Sequence, residues 1–281
     1  MKVRFGTSLG ADAAPGVLAG LVDGLEHRGI DSLWFSELVY SPTVDPFIGM
    51  AYALARTEKL KVGTSVAVLP GRQPVLVAKQ LASLAALAPR RVLPVFGLQS
   101  ALPSERELFP VPDGTRGAAF DAALVQLRSS LESPESAIAP RPEKPLDIWL
   151  GGSAPAAFRR IGRLADGWLG SFLTPTEARA GREAIERAAA EAGRTIEPDH
   201  FGINLAVSEA GLPEQVRAAI RRRRPDVDPA DLVADGWDAL ERLLDGYLDA
   251  GLTKFVVRPA GPGPDAAFLD RFAARLLPRQ N

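Results

Sequence analysis

Between an apolar run and Pro155 stand two glycines and a serine, Trp149-Leu150-Gly151-Gly152-Ser153. Glycines let an anion approach the backbone closely, and a helix starting at Pro155 would point free N–H groups and a partial positive charge at it. Ser171, at the end of the next apolar run, would stand beside this segment and add a hydroxyl. That is the chemistry of phosphate binding. A plainer reading is that Ser153 only caps the helix, and residue types alone leave both open.

Other chemical signals are weaker. Gly6-Thr7-Ser8-Leu9-Gly10 fits the letters of the hydrolase elbow G-x-S-x-G. A triad needs a histidine base, and the chain holds only His27 and His200. His27 falls in the last turn of a predicted helix, and His200 opens a strand at the end away from Ser8. Neither reaches it, so no triad is expected. The absence of cysteine removes thiolate catalysis and disulfides, and scarce histidine argues against a metal centre. Glu37 closes an otherwise apolar strand, where a rim salt bridge and a role near a ligand weigh equally. Arg72 and Arg258, also near strand ends, read as structural ion-pair partners. The run Arg221 to Arg224 precedes Asp226, Asp228 and Asp231, which suggests a locally neutralised, solvated loop.

These groups need a frame, and the chain alternates strand and helix patterns throughout. Strand-like runs cover residues 3–9, 31–36, 60–69, 91–97, 146–150, 167–172, 200–207 and 254–257. Helical spacing covers 15–28, 45–56, 74–87, 114–131, 155–165, 176–192, 237–250 and 265–277. Continuous apolar strands separated by helices predict parallel pairing with helices outside. The expected fold is α/β, one (β/α)8 TIM barrel domain over residues 1–281, with a doubly wound open sheet as the competitor. In such a barrel, sites form at the C-terminal strand ends. Those ends include Ser8, Ser36 and Glu37, Ser65 to Ala67, Gly97 to Gln99, Gly151 to Ser153, Ser171 and Arg258. Residues 211–235 form the least regular stretch and read as a surface excursion, and 133–145 reads as a loop.

Lys and Arg total 33 against 34 Asp and Glu, a net charge of −1. This balance offers no broad attraction to nucleic acid or an anionic membrane. The N-terminus lacks the long apolar core of a signal peptide, and no apolar stretch is long enough to span a bilayer. A soluble cytoplasmic protein is the expectation.

Four blocks together carry a resemblance: DSLWFSE, KLKVGTSVAVLPGRQPVLVAKQLASL, RRVLPVFG and PLDIWLGGSAPAAFRRIGRLADGWLGSFLTP. The order is similar to the luciferase-like monooxygenase superfamily, and within it to a branch described as F420-dependent oxidoreductases. The resemblance runs to about Ala192 and more faintly to Phe255-Val256-Val257-Arg258-Pro259. It implies a reduced deazaflavin F420, or alternatively FMN, lying across the barrel mouth. It also implies a non-prolyl cis peptide at Ser65-Val66 behind the ring and a cofactor phosphate at Gly151, Gly152, Ser153 and Ser171. Glu37 matches an acid near the ring, while Ser8, Ala67, Gly97 and Gln99 would line the site.

Departures accompany the resemblance. The sugar-phosphate dehydrogenases of the superfamily carry a histidine after the second-strand acid and a glutamate after strand four. Here those places hold Leu38 and about Ser100, so that activity is not expected. The turn Phe96-Gly97-Leu98-Gln99 has fewer glycines than is usual, and the segment from Leu131 to Pro145 is shortened, trimming a loop that covers substrate in relatives. The expected function is hydride transfer between F420 (or FMN) and a small-molecule substrate, with no catalytic side chain assigned. The alternatives are an FMN monooxygenase served by a separate reductase, and a degenerate barrel that binds cofactor without turnover. The resemblance also implies a homodimer.

Overall fold

Apolar runs become short parallel strands: β1 (Arg4–Ser8), β2 (Ser32–Phe35), β3 (Lys61–Thr64), β4 (Ala67–Val68), β5 (Val92–Leu93), β6 (Val95–Gly97), β7 (Trp149–Gly151), β8 (Gly167–Ser171), β9 (Phe201–Ser208), β10 (Val233–Asp235) and β11 (Lys254–Pro259). The helices are α1 (Leu18–Arg28), α2 (Pro46–Arg56), α3 (Pro74–Leu87), α4 (Arg116–Glu132), α5 (Pro155–Leu164), α6 (Pro175–Glu191), α7 (Glu214–Arg223), α8 (Trp237–Asp249) and α9 (Ala266–Leu276). This structure, a computed structural model, describes every residue except Met1, Ala210 and Pro213, and leaves out the Gln215 side chain.

Strands β3 and β4 are two halves of one stave broken at Ser65-Val66, and β5 and β6 are halves of the next, broken at Pro94. Strand β3 pairs with β5 and β4 with β6, while the other staves pair in sequence through β7, β8, β9, β11, β1 and β2. The third and fourth staves thus join the two ends of the sheet. The result is the expected eight-stave barrel, with helices packed outside. Helix boundaries follow their chemistry. Asp45 caps α2 by accepting from the N–H groups of Phe47 and Ile48, and Gly29 ends α1 in the left-handed conformation at φ 71°.

Two layers of apolar packing hold the barrel. Trp34, Val95, Trp149, Leu169 and Val256 come from five different staves and meet inside, with Leu93 and Val66 packed against them. A larger cluster, including Phe5, Phe35, Phe96, Phe201 and Phe255, lies between the staves and the helices. Each such side chain contributes about 1.5–3 kcal/mol on burial. Beneath the inner layer, buried Asp31 gathers three cations: Lys61 at 2.5 Å, Arg4 at 3.6 Å and Lys254 at 3.7 Å. That cluster closes the N-terminal end of the barrel.

Two sequence expectations need correction. Residues 211–235 are not an irregular excursion. They contain α7 and β10, and β10 adds to β9 in parallel, with Val233 opposite Ala206 and Asp235 opposite Ser208. Leu212, Ile220, Leu232 and Val233 pack together here with Ala206. They are spaced too widely along the chain to show a period. Residues 133–145 do form a loop, but it leads from α4 back to β7, on the face opposite the strand C-termini, and receives the Lys79 ammonium of α3 at the Ala139 carbonyl. It does not cover the mouth.

Candidate active site at the barrel mouth

The side chains that reach the mouth are set by the two-residue alternation of each stave. Trp34 faces inward, so Ser36 does too. Leu169 faces inward, and with it Ser171. Val256 faces inward, and Arg258 stands one rung above it. On the third stave the alternation slips. Ser65 turns inward to Asn204, Val66 packs with the inner layer, and Ala67 points outward into the core around the barrel. The bulge therefore places two consecutive side chains inside. The peptide between them is cis, as the resemblance implies.

A polar relay crosses this floor. The Ser36 hydroxyl donates to the Ser65 carbonyl at 3.0 Å, the Ser65 hydroxyl donates to Asn204 Oδ1 at 2.9 Å, and the Asn204 amide donates to the Gly170 carbonyl at 3.3 Å. Two predicted site glycines have their reason beside it. A Cβ on Gly97 would lie 2.5 Å from Val66 Cγ2, and one on Gly151 2.9 Å from Val66 Cγ1. Both glycines make room for Val66, which forms an apolar patch between them.

Gly152 turns at φ 121° and is held by the Trp168 indole, which donates to its carbonyl at 2.8 Å. Ser153 is exposed and does not cap α5. The capping position is Ala154, with no side-chain hydrogen bond. The N-terminus of α5 thus lacks an internal side-chain acceptor, and Ser171 ends the neighbouring stave. Ser8 is buried at the end of β1, and Gln99 is exposed beyond the end of β6.

Glu37 is 6% exposed and its carboxylate is already engaged. One oxygen accepts from the Val68 N–H at 2.7 Å, and the other pairs with Arg72. Burial pushes this carboxyl up from its usual range, against the opposing pull of Arg72. Glu37 therefore braces the strand just after the bulge. Ser100 donates to fully buried Glu105 at 2.8 Å, and the other oxygen of Glu105 accepts from the Tyr40 N–H.

Arg258 departs from its sequence reading as an ion-pair partner. Among the described residues its guanidinium donates only to the Pro259 carbonyl, at 3.1 Å. Burial alone lowers its pKa, with no carboxylate acting on it. The arginine run is also more ordered than a solvated loop. Arg224 donates to the Phe172 carbonyl at 2.7 Å and to Glu177 at 2.6 Å, and Arg223 lies 4.3 Å from the Phe172 ring centre. The run is pinned to the loop after β8, at the rim.

Sequence reasoning placed Ser36 at a strand end without giving it a role, and missed Asn204. Asn204 had a signal, being the lone amide in the apolar strand HFGINLAV at an inward position. No helix of the described residues is long and apolar enough to cross a membrane.

This geometry has counterparts. Over 94% of its length, the chain is 26% identical to the F420-dependent glucose-6-phosphate dehydrogenase of Kineococcus radiotolerans, covering 93% of that protein. Its fold matches that of an F420-dependent secondary alcohol dehydrogenase, solved with an F420-acetone adduct. The TM-score is 0.83 at 17% identity, over all of both chains. It also matches a monooxygenase from Streptomyces bottropensis at TM-score 0.77 and 18% identity, over 98% of this chain and 99% of that one. The model of the luciferase-like monooxygenase family matches residues 1–242, and the chain belongs to that family.

Proposed function

We propose that this chain is an oxidoreductase that passes a hydride between F420 and a small organic substrate at the barrel mouth. The carrying observation is the Ser65-Val66 bulge. It presents an apolar patch and a hydrogen-bonded relay in the same mouth as an uncapped helix N-terminus approached through Gly151 and Gly152. A flat ring fits the first feature and a phosphate the second. The F420-dependent relatives support F420 as the carrier.

F420, when bound, supplies the hydride donor and acceptor. The chain supplies placement. Gly151, Gly152 and Ser153, with α5 and Ser171, hold the phosphate, and Val66 backs the ring. Ser8, Gly97 and Gln99 line the approach, and Glu37 keeps the bulge in place through Val68 and Arg72. Sugar-phosphate oxidation is not carried over from the dehydrogenase relative. Leu38 brings no titratable group, and Ser100 is committed to Glu105.

Fluorescence titration of the apoprotein with F420 and with FMN tests this reading. Tight binding of F420 alone supports it. Tight FMN binding with substrate-coupled oxygen uptake would transfer the chain to the monooxygenases, with a reductase as partner. Binding of neither would overturn both. Replacing Gly152 with valine is expected to weaken F420 by roughly tenfold or more, since φ 121° and Ala157 both oppose a side chain there. Unchanged affinity would remove the phosphate assignment.

The same reading includes a homodimer. Ile48 and Tyr52 on α2 and Val75 and Leu76 on α3 are exposed apolar residues on neighbouring helices, the kind of patch a second copy covers.

A further inference from the structure

Among the described residues Arg258 has no carboxylate partner, whereas several other cations at the stave ends do. Lys61, Lys254 and Arg4 at the closed end share Asp31, and Arg72 at the rim has Glu37. On the inward face of β11, Arg258 sits opposite Ala206 in register, one rung above the Val256–Asn204 pair that underlies the polar relay. Its guanidinium bends toward the Pro259 carbonyl at the strand's open end. A guanidinium partly withdrawn from water is costly unless an anion completes it, and its planar fork of donors suits a carboxylate.

The place argues for substrate rather than cofactor. The phosphate position proposed above lies at the ends of β7 and β8. Arg258 lies on the far side of β9, on the stave directly across from β5 and β6. An anion there is separate from the phosphate yet faces the same floor.

We propose that Arg258 binds a carboxylate of the substrate, so that the organic molecule reduced or oxidised here is a carboxylic acid anion. This rests on the oxidoreductase reading for its chemistry, but the binding itself does not depend on F420. Arg258 is then a specificity-determining residue, anchoring one end of the substrate while its reacting carbon lies over the floor.

The test is calorimetric titration of the whole chain, with and without F420, using benzoate, succinate and pyruvate as probes and their amides as neutral controls. At least one carboxylate is expected to bind saturably while its amide does not. Arg258→Gln should weaken that binding roughly tenfold or more, and Arg258→Lys less, because the ammonium keeps the charge and loses the fork. F420 affinity should stay within about threefold in both. Carboxylate binding unchanged in Arg258→Gln would overturn the proposal, as would binding of none of the probes. Loss of F420 affinity with carboxylate binding intact would give the guanidinium to the cofactor instead. If Arg258→Gln does not fold, Arg258→Lys decides alone, and equal carboxylate affinity in that variant overturns the idea. Arg258-dependent carboxylate binding in a chain that takes no F420 would leave the anion site standing and remove the oxidoreductase reading.

Discussion

The Ser65 hydroxyl donates to Asn204 Oδ1 at 2.9 Å, joining the third and seventh staves, which stand on opposite sides of the barrel. These residues lie 139 positions apart in the chain. The bond sits directly under the mouth and ties the bulge to the far wall, so it sets how firmly Val66 is presented.

Asn204→Ala removes the acceptor of Ser65 and the donor to Gly170 together. Stability is expected to fall by about 1–3 kcal/mol, the cost of partly buried polar groups left unpaired. Proposed F420 binding should weaken with it, because the floor loses its brace. Urea denaturation and fluorescence titration read the two effects separately. Wild-type values in both would show that the relay positions nothing.

Gly97→Ala forces a methyl to within 2.5 Å of Val66 Cγ2. Overpacking of this kind costs about 1–3 kcal/mol. Val66→Ala opens the same space, so the double variant should be less destabilised than the two single changes sum to. A double-mutant cycle by thermal or chemical denaturation measures that coupling. Additivity would mean that Gly97 serves something other than Val66.

Asp31 is expected to contribute to the acid limb of stability. Burial pushes its carboxyl up, but Lys254, Lys61 and Arg4 outweigh burial and hold it below the usual range. A carboxyl lowered on folding adds stability above its unfolded value near 4, and that stability is lost as pH falls through the lower folded value. Asp31→Asn should therefore cost about 3–5 kcal/mol at neutral pH, since three cations lose their partner. It should also flatten the decline of stability below about pH 5. Denaturation curves from pH 7 to pH 2 check both. An acid limb identical to wild type would exonerate Asp31.

Ile48 and Leu76 are 66% and 65% exposed. If α2 and α3 form the proposed contact between copies, Ile48→Arg with Leu76→Arg should convert a dimer into a monomer with little change in the fold of each barrel. Light scattering coupled to size-exclusion chromatography gives the mass directly. A wild-type monomer at micromolar concentration would dispose of this interface.

Much of the frame is legible in the chain itself. Helix α3 spans Pro74–Leu87 as its pattern predicts, because proline marks the first turn and apolar residues keep the helical period to the end. The phosphate-like turn at Gly151 and Gly152 could also be seen. What escaped has physical causes. The slip at Ser65-Val66 breaks the two-residue alternation, so strand logic alone would put Ala67 with Ser65 when Ala67 in fact faces outward. Helix α7 has few apolar residues and many charges, and its contacts to Phe172 come from a distant part of the chain. Glu37 could be found by type but not by partner. Arg72 and the Val68 N–H lie 35 and 31 residues away, and only folding shows that they occupy its carboxylate.

The cluster of Asp31, Lys61, Lys254 and Arg4 turns the barrel into a blind well. Trp34, Trp149 and Val256 fill its shaft, leaving the mouth as the doorway to the proposed site. On the proposed reading, cofactor and substrate share that doorway. Each can bind alone, but both fit together only when the deeper one is seated first, an order that initial-rate and product-inhibition kinetics can read.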